Sequence, residues 1–280
     1  MKRMYIIFII CIVGWLLFCA GCMKFRMSDK KAYELFKSKD VPLKIYDTVI
    51  EDRNLHFAIA GKNSLPLLVI IHGSPGSWSN YEDYMYDKDL QKKFRIMSID
   101  RPGFGYSDFG DPMHLKEQCE LMLRVIGAHQ DGTNIYLAGH SIGGPVVAQL
   151  AAMSPGSFKK IVIMSGSISP YLEKKESWRY IMDNSILRRF LPGAFAPSNT
   201  EIIWFKKDLL ELEKELPAIH TDVIFIHGEE DKWVPIGNVK YGIDRMTNAT
   251  SIQSDTIRGE GHLIPWKRFK EIKKILLGLY

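Results

Sequence analysis

Five consecutive apolar residues, Leu67-Leu68-Val69-Ile70-Ile71, stand between Pro66 and a His72-Gly73 turn, and this run constrains the fold more than any other feature. A strand with one wet face alternates apolar and polar residues. This run offers no polar face, so both faces must be covered, as in a parallel sheet. The same type recurs at residues 55–60, 94–99, 134–138, 161–165 and 223–226, with a weaker candidate at 251–257. Helical periodicity occupies 79–90, 114–129, 142–153, 239–246 and 266–279. Alternation of this kind predicts an α/β fold with a mostly parallel central sheet flanked by helices. One stretch breaks the rhythm. Residues 170–217 carry helical patterns and Pro/Gly turns but no strand signal, and read as a helical lid over the sheet's carboxyl edge. Within it, Ser198 and Glu201 precede Ile202-Ile203-Trp204-Phe205 with the spacing of a capping box.

The first 22 residues read differently. Lys2 and Arg3 precede an apolar run from Tyr5 to Ala20, and no acidic residue occurs before Asp29. This is the layout of a signal segment. It ends in Ala20-Gly21-Cys22, which resembles the cleavage box of bacterial lipoproteins, in which the cysteine is lipidated and becomes the new N-terminus. The position three before Cys22 is Cys19, where that pattern usually has Leu. Several acyl chains on one cysteine would anchor stably where a single chain is marginal. An uncleaved signal anchor and a cleaved secretory signal are the alternatives. The expected organisation is a leader over 1–22, a tether with a short helix over 23–40, and a single domain over 41–280. The domain would be held at a bacterial membrane, outside the cytoplasm.

Of four cysteines only Cys119 lies beyond this leader, so no disulfide framework and no Cys-based metal site is expected. The net charge of +5 is dispersed, as in Glu211-Leu212-Glu213-Lys214-Glu215, and no basic stripe suggests nucleic-acid binding. No phosphate-binding glycine loop and no HExxH occurs, so neither a nucleotide cofactor nor a metal is expected.

Gly139-His140-Ser141-Ile142-Gly143-Gly144 follows one predicted strand and opens a helix. That is the strand–turn–helix setting of a nucleophile elbow, in which glycines two before and two after the serine leave room for a strained turn. Four further motifs accompany it. His72-Gly73-Ser74-Pro75-Gly76 follows the 67–71 run, and Asp100-Arg101-Pro102-Gly103-Phe104-Gly105-Tyr106-Ser107 follows the next strand. Near the end come Gly228-Glu229-Glu230-Asp231, before Val234-Pro235, and Gly259-Glu260-Gly261-His262. From about residue 41 to the C-terminus the chain resembles the α/β-hydrolase superfamily of serine hydrolases. More narrowly, it is similar to bacterial, lipid-anchored members.

The resemblance implies an α/β-hydrolase fold and a relay of Ser141, His262 and Asp231. A serine hydroxyl needs an adjacent base, and that base needs an acid to hold its tautomer. Glu229 and Glu230 are rivals for the acid, but Asp231 has the motif position. Backbone amides of Ser74 and Ile142 are expected to hold the oxyanion, with Asp100 and Arg101 bracing the loop. The implied reaction is hydrolysis of a carboxylic ester in a small-molecule acyl substrate through an acyl-enzyme. Proline-type aminopeptidase or amidase chemistry, which would need lid carboxylates such as Glu173, Glu176, Asp183 or Glu201, is an alternative. C–C bond hydrolysis and a non-catalytic binding role are others. The lid aromatics Trp178, Tyr180, Phe195 and Trp204 suit either an acyl pocket or plain helix packing.

Overall fold

A computed structural model describes residues 2–280; Met1, the first residue of the expected leader, lies outside them. Eight strands form one sheet in the order β1-β2-β4-β3-β5-β6-β7-β8. They are β1 (Leu43–Ile50), β2 (Arg53–Ala60), β3 (Leu67–Ile71), β4 (Arg95–Ile99), β5 (Ile135–His140), β6 (Lys160–Met164), β7 (Asp222–Gly228) and β8 (Ser251–Ile257). β2 runs antiparallel to both β1 and β4, and every other pairing is parallel. This is the α/β-hydrolase fold.

The two faces of β3 show why its sequence is continuously apolar. Leu67, Val69 and Ile71 enter a core shared with the helices Leu115–Ala128 and Gly143–Met153. Leu68 and Ile70 enter a second core on the opposite face, with Phe36, Trp78, Ile272 and Leu276. The period of two is intact, but both registers are dry.

β1 went unread in the sequence. Leu43–Ile50 alternates, carries Lys44 and Asp47, and pairs only with β2 at the sheet's edge, so it lacks the apolar continuity of the inner strands. The helix expected over 79–90 is also broken. A 3₁₀ turn at Trp78–Tyr81 leads into Glu82–Tyr86, and a separate turn follows at Leu90–Lys93. The break lies at Asp87, whose backbone is extended and whose carboxylate accepts the amides of Asp89 and Leu90 at 3.0 and 3.1 Å. Such local capping competes with helix continuation. The helix expected over 266–279 likewise divides at Arg268 into Ile264–Lys267 and Phe269–Leu277.

Between β6 and β7 the chain forms the helix Trp178–Met182, a 3₁₀ turn at Leu187–Phe190 and the long helix Phe195–Glu215. The capping box expected at Ser198 is absent. The helix begins at Phe195, three residues earlier, and Ser198 and Glu201 are buried within it.

The N-terminal helix Lys2–Gly21 is the one described helix long and apolar enough to cross a membrane. Twenty residues at 1.5 Å each span about 30 Å, the thickness of a hydrocarbon core. Its C-terminal end rests on the 187–194 segment. Trp15 Nε1 donates to the Phe190 carbonyl at 3.1 Å, Gly193 N to Cys19 O at 2.8 Å, and Ala194 N to Met23 O at 3.0 Å. The next helix, Asp29–Ser38, buries Ala32 and Phe36 against the sheet. The stretch read as a tether is therefore partly folded onto the domain.

Phe36 is 1% exposed and packs on Trp78 and Tyr86. Phe36→Ala should lower stability by about 3 kcal/mol in urea unfolding, the usual cost of a large cavity. A loss near zero would mean that Asp29–Ser38 does not belong to the cooperative unit.

Candidate active site

The elbow is built by close packing. β5 ends at His140, Ser141 adopts φ 56, and the helix Gly143–Met153 begins immediately. A left-handed φ costs a non-glycine residue about 1 kcal/mol or more and persists only where its surroundings enforce it. Here they do. A Cβ on Gly139 would lie 2.0 Å from the Gly143 carbonyl oxygen, and one on Gly143 would lie 2.4 Å from that of Ile71. Ser141 N donates to Met164 O at 3.0 Å, and Ser141 O accepts Gly144 N at 2.9 Å. The serine side chain is left partly exposed at the carboxyl edge of the sheet.

Asp231 and His262 come from the loops after β7 and β8. Their side chains meet, with His262 Nδ1 2.7 Å from Asp231 Oδ2. Asp231 Oδ1 accepts the amides of Trp233 and Val234, both at 2.9 Å. Burial pushes the Asp231 carboxyl up. The bonds from His262 and from the Val234 and Trp233 amides outweigh that and hold it below its ordinary value. An ionised Asp231 fixes the proton on Nδ1 and leaves Nε2 of neutral His262 as an acceptor. Glu229 and Glu230 are exposed, and neither bonds to this histidine.

A residue that motif reading passed over ties the serine loop to the histidine loop. His140 Nε2 donates to the His262 carbonyl at 2.9 Å, and the two rings lie 4.7 Å apart. Burial, aided by His262, drives the His140 pKa down to about 3, so it stays neutral and keeps this donor. Ser141 Oγ itself makes no hydrogen bond to His262 among the described residues. Such bonds commonly tighten only when substrate is bound.

The loop after β3 is braced from below. His72 Nε2 accepts the Arg101 amide at 2.9 Å, so Nδ1 carries the proton and donates to Gly73 O at 2.6 Å. Burial and the neighbouring guanidinium hold His72 neutral. Arg101 is fully buried and uses all five of its donors, on His72 O, Gly73 O, Gln118 and both oxygens of Glu201. Among the described residues, neither the Ser74 amide nor the Ile142 amide donates to any protein acceptor. Glu201, read in the sequence as the capping-box partner of Ser198, is instead 4% exposed and pairs with Arg101, whose buried charge needs a counter-charge. No sequence pattern marks that pairing.

Of the other histidines, His227 is buried beside the acid, with Nε2 2.9 Å from the Val234 carbonyl and 3.6 Å from Asp231 Oδ2. His56 contacts Asp47, and His114 pairs with Asp208 and stacks on Trp204. Trp178 and Tyr180 are exposed. No group of three or more His, Cys, Asp or Glu side chains among the described residues is placed to hold a metal ion.

Asp100 accepts the Trp78 and Tyr106 amides at 2.6 and 2.8 Å, and Gly105 lies against it so closely that a Cβ would be 2.0 Å from the carboxylate. Burial raises its pKa to about 6. The folded state then binds the proton more tightly than the unfolded chain, where the pKa is near 3.9. This contribution to stability is full below about pH 4 and is lost as the pH rises through about 6. Urea unfolding across that window should show the wild type losing stability relative to Asp100→Asn. Parallel curves would remove Asp100 as the titrating group.

Residues 66–202 match a family model described as the alpha/beta hydrolase fold. A Haemophilus influenzae protein named as an esterase/lipase is 22% identical over 228 residues, 71% of this chain and 77% of that protein. A pimeloyl-[acyl-carrier protein] methyl ester esterase of Pseudoalteromonas atlantica is 30% identical over 130 residues, 45% of each chain. Among solved structures, a membrane phospholipase A described as a bacterial virulence factor superposes with a TM-score of 0.66 at 17% identity. That alignment covers 100% of this chain and 98% of the other. A serine hydrolase from a Cycloclasticus species superposes with a TM-score of 0.67 at 18% identity, covering 84% and 97%. Over residues 66–202 the chain thus matches the alpha/beta hydrolase family, and its eight-stranded sheet has the order of that fold.

Proposed function

We propose that this protein is a membrane-held serine hydrolase that cleaves a carboxylic ester of a small-molecule acyl substrate. The observation that carries the reading is the Asp231–His262 bond, which occupies Nδ1 and leaves Nε2 as the nitrogen free to accept, on a loop that His140 ties to the left-handed turn of Ser141. His262 Nε2 takes the Ser141 proton as Oγ attacks the ester carbonyl carbon. The negative charge that develops on the carbonyl oxygen is met by the free amides of Ser74 and Ile142. His262 then returns the proton to the departing alkoxide and an acyl-serine remains. Water, deprotonated by the same imidazole, attacks the acyl carbon; the C–Oγ bond breaks, the imidazolium returns its proton to Ser141 Oγ and the acid leaves. The esterase and lipase names of the relatives support ester chemistry.

Aminopeptidase chemistry is less well supported. Each candidate lid carboxylate already has an internal partner: Glu173 accepts from Ser167, Glu176 pairs with Arg179, Asp183 accepts from Thr200 and Glu201 pairs with Arg101. None is left as an evident acceptor for a substrate amine.

The N-terminal segment supplies the anchor in this reading, with the domain outside the cytoplasm. Lipid on Cys22 and a retained helix are its two forms. Cleavage before Cys22 would discard Trp15 and Cys19 with their bonds to Phe190 and Gly193, so these contacts favour the retained helix. The superposition of the membrane phospholipase over the whole chain supports membrane placement.

A fluorophosphonate probe should label the wild type, with the adduct on Ser141 by peptide mass spectrometry, and Ser141→Ala should abolish it. Persistent labelling of the mutant would refute the nucleophile. Deletion of residues 2–22 should move the protein to the soluble fraction. Intact mass separates the two anchors: a retained helix gives the full chain, unchanged by Cys22→Ala, whereas lipidation gives a shortened, acylated species that Cys22→Ala prevents.

A further inference from the structure

We propose that Arg101 and Glu201, assisted by Ser198, are positioning residues that aim the Ser74 amide at the reacting carbonyl oxygen. This rests on the serine-hydrolase reading above and adds a role for the lid helix.

The Gly73 carbonyl and the Ser74 N–H belong to one rigid, trans peptide unit, so they point in opposite directions. Holding the oxygen therefore orients the hydrogen. Two donors hold it: His72 Nδ1 at 2.6 Å and Arg101 Nη2 at 3.1 Å. Arg101 Nε also donates to His72 O at 3.0 Å, which fixes the preceding peptide. Donors on a carbonyl also polarise the N–H of the same unit, which strengthens it toward an anion.

A buried guanidinium keeps this geometry only if its charge is balanced and its plane is fixed. Glu201, reaching down from the helix Phe195–Glu215, does both with a two-pronged pairing through Nη1 and Nη2. One turn earlier on that helix, Ser198 Oγ accepts the Ser74 hydroxyl at 3.0 Å. The lid helix thus grips the loop at two points, one through Arg101 and one on Ser74 itself. All three gripping side chains are nearly or fully buried.

A buried ion pair with no function beyond folding is separable by experiment. Replacing both charged partners with apolar residues of similar size often leaves stability intact, whereas removing one partner does not. The full-length protein in detergent micelles is first tested for fluorophosphonate labelling at Ser141. Loss of that signal in the wild type would overturn the nucleophile reading and this inference with it. Glu201→Gln, Arg101→Lys and the double variant Arg101→Met/Glu201→Met are then compared for p-nitrophenyl butyrate turnover, thermal melting and inhibition by a trifluoromethyl ketone.

A misaimed oxyanion donor should lower kcat by about tenfold or more, with KM within about threefold, and weaken the ketone inhibitor in parallel. The double variant should melt closer to wild type than Glu201→Gln yet recover no kcat. Wild-type kcat in the double variant, or a change confined to KM, would show that the pair serves only the fold. Should the Arg101 variants fail to fold, Ser198→Ala decides without a buried charge. A drop in kcat at constant KM supports the lid grip, and an unchanged kcat overturns it.

Discussion

The whole site depends on one steric constraint: the end of β5, the start of the following helix and the end of β3 approach too closely for side chains at Gly139 and Gly143. That contact drives the chain through a left-handed turn at Ser141. It pushes the hydroxyl out at the carboxyl edge and leaves the Ile142 amide without a partner. The loops after β3, β7 and β8 emerge at the same edge because these strands are parallel. Side chains far apart in sequence are thereby brought to one rim.

Around that rim the protein buries charge, which an apolar core would not require. Arg101 and Glu201 are paired, Asp100 is held by backbone amides, and Asp231 is held by two amides and His262. Desolvating such groups costs several kcal/mol each before pairing repays it, so they are weak devices for stability. They are strong devices for direction, since each donor and acceptor has one satisfactory geometry. The side chains so fixed hold the loops after β3, β4, β7 and β8, whereas surface pairs such as Lys240 with Asp244 are exposed and worth little.

How much of this could be read in advance follows from how local each signal is. Inner strands such as β3 and β6 announced themselves, because double burial leaves a run with almost no polar residue. β1 did not, since an edge strand with one wet face keeps Lys44 and Asp47. The helical periodicity of 79–90 continues through Asp87, but there a side chain captures the backbone amides and ends the helix. Ser198 and Glu201 have capping-box spacing, yet Ser74 and Arg101 claim both side chains. Their identity was legible and their partners were not.

The amino-acid order alone determined the α/β alternation, the glycines that permit the elbow and the loops that carry Ser141, Asp231 and His262. These are short-range facts, written within a few residues by backbone sterics and by the need to hide apolar runs. Tertiary structure alone decided that Glu201 would balance Arg101, that His140 would tether the His262 loop, and that the N-terminal helix would rest against the lid segment. Such pairings join residues up to 175 positions apart. They depend on which groups meet at the sheet's edge once it has formed, and no local pattern encodes that meeting.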